Sequence, residues 1–154
     1  MGRIDLVNGD VTNVECDIIL HQVNCKGVMG SGVAMAIRQK YPEVYYAYLT
    51  LTGSHLGRTE LLLGAVQTVN THDGKTVANL FSQNDYGYGK LYTNYEAIKT
   101  GLTKLNDIAK GKTVALPYKM GSDRGGGSWD IVYSIIVSTL VDCDIKIVKL
   151  QTEE

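Results

Sequence analysis

Asp17-Ile18-Ile19-Leu20-His21-Gln22-Val23-Asn24 is a short, nearly continuous apolar run that closes in polar residues. Such a run reads as a β-strand covered on both faces, because a strand with one wet face alternates instead. The residues that follow, Cys25-Lys26-Gly27-Val28-Met29-Gly30-Ser31-Gly32, are punctuated by three glycines. Beyond them Val33, Ala36, Ile37 and Tyr41 recur at helical spacing and stop at Pro42, which disfavours helix in the residue before it. Buried strand, glycine loop, helix: this is the repeating unit of a layered α/β domain.

The rest of the chain repeats the alternation. Arg3–Asn8, Gly64–Asn70, Thr76–Ser82, Thr113–Tyr118 and Ile145–Leu150 are the other expected strands. Tyr95, Ile98, Leu102, Leu105 and Ile108 form a second helical stripe, with Thr93 or Asn94 as N-cap. Val132, Ile135, Ile136 and Leu140 form a third, opened by Ser128. The pattern predicts one α/β domain over residues 1–154, with helices on both faces of a mostly parallel sheet. No repeat or linker divides it.

Composition narrows the function classes. The 154 residues hold 15 Lys and Arg against 16 Asp and Glu, a formal charge of -1. A protein that grips nucleic acid through a broad cationic surface is not built this way. An anionic ligand must therefore be held by local geometry. Cys16, Cys25 and Cys143 are odd in number and unpaired in spacing, which predicts reduced thiols and no metal site. No apolar run approaches the ~20 residues that cross a bilayer, and Met1–Gly9 shows no export pattern. A soluble, cytoplasmic protein is expected.

Ligands of such sheets bind outside the carboxyl ends of the strands. Three loops fall there: Cys25–Gly32, Asn84–Gly89 and Lys119–Gly127. In the first, glycine lets backbone amides approach a phosphate, and the helix that follows adds unpaired N–H groups and partial positive charge. Gly27 and Gly32 have P-loop spacing, but Val33-Ala34 replace the lysine and hydroxyl that triphosphate chemistry requires. The dinucleotide motif fails as well, since counting from Gly30 its third glycine would be Met35. The second glycine loop, Lys119-Met120-Gly121-Ser122-Asp123-Arg124-Gly125-Gly126-Gly127, again leads a strand into a helix. A pair of such loops suits a diphosphate; two unliganded turns are the competing reading.

The chain resembles macrodomains. Asn8-Gly9-Asp10-Val11-Thr12, Ile19-Leu20-His21-Gln22-Val23-Asn24 and Gly30-Ser31-Gly32-Val33-Ala34 follow that family's opening motifs in order, and Asn79–Gln83 and Gly125–Trp129 continue the match. The likeness runs from Asp5 to about Val148, and it is nearest to the ADP-ribose-1″-phosphate phosphatase branch. It implies a three-layer α/β/α fold with a central mixed, mostly parallel sheet. It implies that Asp10 accepts from the adenine amino group, with the Val11 backbone nearby, and that Asn24 contacts the distal ribose. Gly30, Ser31, Gly32 and Val33 would wrap one side of the diphosphate. Gly125, Gly126 and Gly127 would wrap the other, with Gly121, Ser122 and Arg124 on the same rim. The implied ligands are ADP-ribose and its 1″-phosphate, free or carried on an ADP-ribosylated protein, with no cofactor.

His21 is the candidate catalytic residue. It ends a buried strand beside Asn24, and histidine titrates near neutrality, so it could protonate a leaving oxygen or act at phosphorus; a structurally satisfied histidine is the other reading. Two departures matter. Ser128 stands where close relatives carry Asp. Gln83-Asn84 and Gly125 stand where the lysine and aspartate of the deglycosylating relatives would be, which argues against that route. Tyr86 and Tyr88 either cover a ligand or pack within their own loop. The expected activity is phosphate release from ADP-ribose-1″-phosphate, and the alternative is a non-catalytic reader of ADP-ribose.

Overall fold

A computed structural model describes residues 2–150; the remaining five positions of the expected domain, Met1 and 151–154, lie outside that span. The strands are β1 (Ile4–Asn8), β2 (Ile18–Asn24), β3 (Val66–Asn70), β4 (Thr76–Gln83), β5 (Thr113–Pro117) and β6 (Asp144–Lys149). The helices are α1 (Gly32–Lys40), α2 (Pro42–Gly53), α3 (Tyr95–Ile108) and α4 (Trp129–Thr139). One six-stranded sheet runs in the order β1-β6-β5-β2-β4-β3. Every neighbouring pair is parallel except β3 with β4. The sheet is mixed and mostly parallel, as the resemblance implies.

β2 is central because both of its faces find partners. Ile18 and Leu20 point into a core with Leu80, Val114, Leu116 and Ile147 beneath α3 and α4. Ile19 and Val23 point the other way, with Phe81, Val148 and the α1–α2 residues Ile37, Val44 and Tyr48. The helix–sheet–helix layering is thus read off one strand's alternate residues.

α1 stops before Pro42, as expected, and Tyr41 caps its end through its N–H to the Ile37 carbonyl. α2 has no counterpart among the expected elements. It begins on Pro42 itself, since a first-turn residue needs no N–H partner. Its buried residues Val44, Tyr48 and Thr52 form a one-residue-wide stripe in a tyrosine-rich segment, so no amphipathic period announces it. Asn94 caps α3, accepting from the Ala97 N–H at 3.0 Å. Ser128 occupies the N-cap of α4, but its side chain caps nothing; its own N–H donates to the Tyr95 hydroxyl. β1 lies at the sheet edge, and Leu6 on it is 64% exposed. Among the described residues no helix is long and apolar enough to cross a membrane, and all three cysteines are free thiols.

Candidate functional site

The carboxyl ends of the strands open into a cavity of about 890 Å³, large enough for a dinucleotide-sized molecule. Sheet order sets its long axis. Asp10 and Val11 follow edge strand β1, Val148 lies near the end of β6 and Leu150 just past it, and Pro117 to Gly125 run from the end of β5. Asn24 ends β2, whereas His21, expected at that strand's end, sits in its middle because the strand continues through Asn24. Gln83, Tyr86 and Gly87 lie at and beyond the end of β4. From β1 to β2 is three strand spacings, roughly 14 Å. Asp10 therefore lies at one end of the slot, and His21 lies beneath its floor three strands away.

The loop after β2 forms one wall and is shaped by Asn24. The Asn24 Nδ2 donates to the Val28 carbonyl at 2.7 Å. Its Oδ1 accepts from the Lys26 N–H at 3.0 Å, the Val28 N–H at 3.3 Å and the Tyr48 hydroxyl at 2.8 Å. One amide group so defines the turn. Ser31 is the N-cap of α1 with no side-chain bond to it. The N–H groups of Gly30 to Ala34 make no hydrogen bond within the described residues. Gly32 sits at φ +58 with nothing within 4 Å of where a Cβ would lie, so its bare face borders open cleft.

The loop after β5 forms the opposing wall. The N–H groups of Asp123, Arg124 and Gly125 likewise have no partner among the described residues. Gly125 is pressed against Thr93 and Gln22: a Cβ there would overlap the Thr93 hydroxyl and approach the Gln22 Nε2 and the Gly121 carbonyl at 2.8 Å. The Gly125 carbonyl accepts from the Tyr92 and Thr93 N–H groups at 2.8 and 2.9 Å, and the Thr93 hydroxyl donates to the Gly121 carbonyl at 2.6 Å. Gly126 and Gly127 require a correction. They do not line the cleft. Gly126 packs on the Lys90 backbone and the Gly127 N–H donates to the Gly121 carbonyl, because the chain must already turn away there to enter α4.

At the β1 end, Asp10 Oδ1 accepts from both the Thr12 N–H (2.8 Å) and hydroxyl (2.7 Å). That turn fixes the carboxylate and leaves Oδ2 for a donor in the cleft. Tyr118, packed edge-on against Trp129 at 5.5 Å, joins Val148 and Leu150 in an apolar wall beside it. Sequence reasoning missed these three, since nothing local marks a strand-end residue as ligand-facing. It also missed Gln22, which donates to Gln83 Oε1 (2.6 Å) and the Thr93 hydroxyl (3.1 Å) while accepting from Ser82 (2.6 Å). Tyr86 lines the cleft; Tyr88 instead carries the Arg124 guanidinium 4.2 Å above its ring.

His21 is 1% exposed. Its Nε2 lies 2.6 Å from Asn79 Oδ1, and its Nδ1 is a buried nitrogen without a partner among the described residues. Burial pulls its pKa down from 6.5 to about 4, against the hydrogen bond to Asn79. Burial thus favours the neutral ring at physiological pH, which suits an orienting or hydrogen-bond-accepting role better than proton donation from an imidazolium. Ser122 Oγ is a second such buried atom in the same lining. No group of His, Cys, Asp and Glu is gathered to hold a metal among the described residues.

The depressed pKa has a consequence for stability. An unfolded chain takes up the His21 proton below pH 6.5 while the folded one resists until about pH 4. Stability present above pH 6.5 should fall through that window, by up to about 3 kcal/mol in the limit. Melting temperatures taken across it should decline less steeply for His21→Gln than for the native chain. Parallel curves would contradict the assignment.

No family model matches the chain. Among curated proteins, the DNA ADP-ribosyl glycohydrolase of Mycobacterium tuberculosis is 26% identical over 134 residues, covering 85% of this chain and 37% of the relative. The ADP-ribose 1″-phosphate phosphatase of Meyerozyma guilliermondii is 26% identical over 74 residues, or 46% of this chain and 42% of the relative. The chain thus spans about two fifths of the length of the curated relatives it matches. Among solved structures, the macrodomain of Mycobacterium tuberculosis DarG superposes with a TM-score of 0.76 at 28% identity, covering 97% of this chain and 98% of that one. Thermosipho africanus DarTG in complex with ADP-ribose gives 0.77 at 20% identity, over 100% of this chain and 43% of that one.

Proposed function

We propose, from the premise that this chain is a macrodomain, that its cleft binds ADP-ribose and releases the terminal phosphate of ADP-ribose-1″-phosphate. One observation carries the binding half: two runs of amides without a partner among the described residues, from Gly30 to Ala34 and from Asp123 to Gly125, belong to two loops that line one cleft. Their fixed dipoles, with the α1 N-terminus behind one of them, suit a diphosphate without help from bulk charge. The remaining chemistry follows the long axis. Asp10 Oδ2 is free for an exocyclic amino group beside the Tyr118–Val148–Leu150 wall, and His21 lies beneath the floor three strands away. Asn24 acts there chiefly by shaping its loop, because its Oδ1 already accepts three bonds.

The phosphatase half is supported by the likeness to the Meyerozyma guilliermondii enzyme. In the reaction water adds to phosphorus, the bond from phosphorus to the sugar oxygen breaks, and inorganic phosphate leaves with that oxygen retained as a hydroxyl. Glycosidic cleavage of ADP-ribosylated DNA, named for the Mycobacterium tuberculosis relative, finds less support. At the β4 end Gln83 is engaged by Gln22 and by the Asp85 carbonyl. The nearby Lys26 donates to Thr59 and does not line the cleft.

Calorimetry with ADP-ribose and AMP, paired with a phosphate-release assay, tests both halves. ADP-ribose should bind at least about tenfold tighter than AMP, a difference of roughly 1.4 kcal/mol. Native protein should release phosphate from the 1″-phosphate, and His21→Ala should release less. Binding without any release would leave a non-catalytic reader of free or protein-linked ADP-ribose. Equal affinity for AMP would overturn the assignment of the distal half.

A further inference from the structure

A chain of two side-chain amides, one buried and one half-buried, runs away from the floor of the cleft, and a backbone carbonyl at its far end fixes the direction of every bond. Gln67 on β3 places Nε2 3.0 Å from the Ala47 carbonyl of α2. A carbonyl only accepts, so the Gln67 amide has a single sense, with Oε1 turned inward. That oxygen accepts from Asn79 Nδ2 at 3.1 Å, which turns Asn79 Oδ1 toward His21. An oxygen there requires a proton on Nε2. Neutral imidazole carries one proton, so Nδ1 is bare. Asn79 is fully buried, and His21 lies beneath the cleft with Nδ1 unpartnered among the described residues.

Resting on the ADP-ribose reading, we propose that Asn79 and Gln67 are positioning residues that lock His21 in its Nε2–H tautomer, so that Nδ1 reads a ligand hydroxyl, the donor it lacks. The group selected is a hydrogen-bond donor. A phosphate oxygen against Nδ1 would set two acceptors face to face, whereas a distal-ribose hydroxyl completes the histidine's bonding. His21 thus discriminates the sugar and leaves the phosphates to the backbone amides. A buried acceptor left unmatched costs enough to make such selection effective.

The test is nitrogen-detected NMR of the histidine rings; the chain has three histidines, so His21→Gln assigns the signal. In the free native protein at neutral pH, His21 should show a protonated Nε2 and a bare Nδ1. Saturating ADP-ribose should shift the Nδ1 resonance in the sense of hydrogen-bond acceptance, and saturating AMP should leave it in place. Asn79→Asp sets a carboxylate against Nε2, favours imidazolium and puts a proton on Nδ1; its ADP-ribose affinity should fall about tenfold with AMP affinity unchanged. Gln67→Leu, at a half-buried site, keeps the proposal open to refutation if Asn79→Asp does not fold: it frees the Asn79 amide to turn over, and both tautomers should appear. A protonated Nδ1 in the free native protein, or no Nδ1 shift with ADP-ribose bound, overturns the proposal. ADP-ribose binding no tighter than AMP would bring down the ligand reading and the hydroxyl with it, while the tautomer of the free protein still decides whether Asn79 sets the ring.

Discussion

Gly125→Ala is expected to weaken ADP-ribose binding by about a hundredfold while leaving a folded protein. One methyl group is added, but it has nowhere to go. It overlaps the Thr93 hydroxyl and comes within 2.8 Å of Gln22 Nε2 and the Gly121 carbonyl. Thr93 is 4% exposed and cannot retreat to solvent. Its hydroxyl holds Gly121, and Gln22 is held in turn by Gln83 and Ser82, so the loop must move instead. Overpacking of this kind costs about 1–3 kcal/mol, and a displacement near 1 Å of groups aimed at a ligand can cost on the order of a hundredfold. Gly53→Ala is the control. It lies at the end of α2 with nothing within 4 Å of the new carbon, and should leave affinity unchanged and stability equal or higher by about 0.5 kcal/mol. Calorimetry with ADP-ribose checks both; a Gly125→Ala protein binding like the native one would show that the wall after β5 is not rigid.

Asn24→Ala should be the most damaging single truncation at the site, costing about 3 kcal/mol of stability. The side chain is 7% exposed and ties together Lys26 and Val28 of its loop and Tyr48. Its removal leaves the Lys26 N–H and the Val28 carbonyl without partners in part-buried positions, and each unsatisfied buried group costs about 1–3 kcal/mol. A domain of this size has roughly 5–15 kcal/mol in total, so the protein should still fold. The amides of Gly30 to Ala34 would lose their frame, and ADP-ribose affinity should drop at least about tenfold, by roughly 1.4 kcal/mol or more. Denaturant titration should show a lower midpoint at unchanged slope. A loss below about 1 kcal/mol would mean that the turn is held by its backbone alone.

Legibility of the site followed the range of the interactions involved. The two glycine loops were visible because both the lack of a Cβ and the helix that follows are local properties. His21 was visible as a residue but not as a chemical state. Its neutrality comes from burial, and its tautomer comes from Asn79, 58 positions away, and through it from Gln67. Gly126 and Gly127 could not be told from Gly125 in a run of three glycines, since only contact with Lys90 and Gly121 separates the back of that loop from its face.

The sequence by itself determined the alternation of strand and helix, the burial of β2 on both faces and the ends of α1 and α3. These follow from side-chain period, proline geometry and a local cap, and each acts within a few residues. Tertiary structure decided the antiparallel β3, the course of α2, the pairing of Tyr118 with Val148 and Leu150, and the protonation of His21. Those depend on which distant segments the sheet brings side by side, and a hydrogen-bond direction or a desolvation cost exists only once the partners have met.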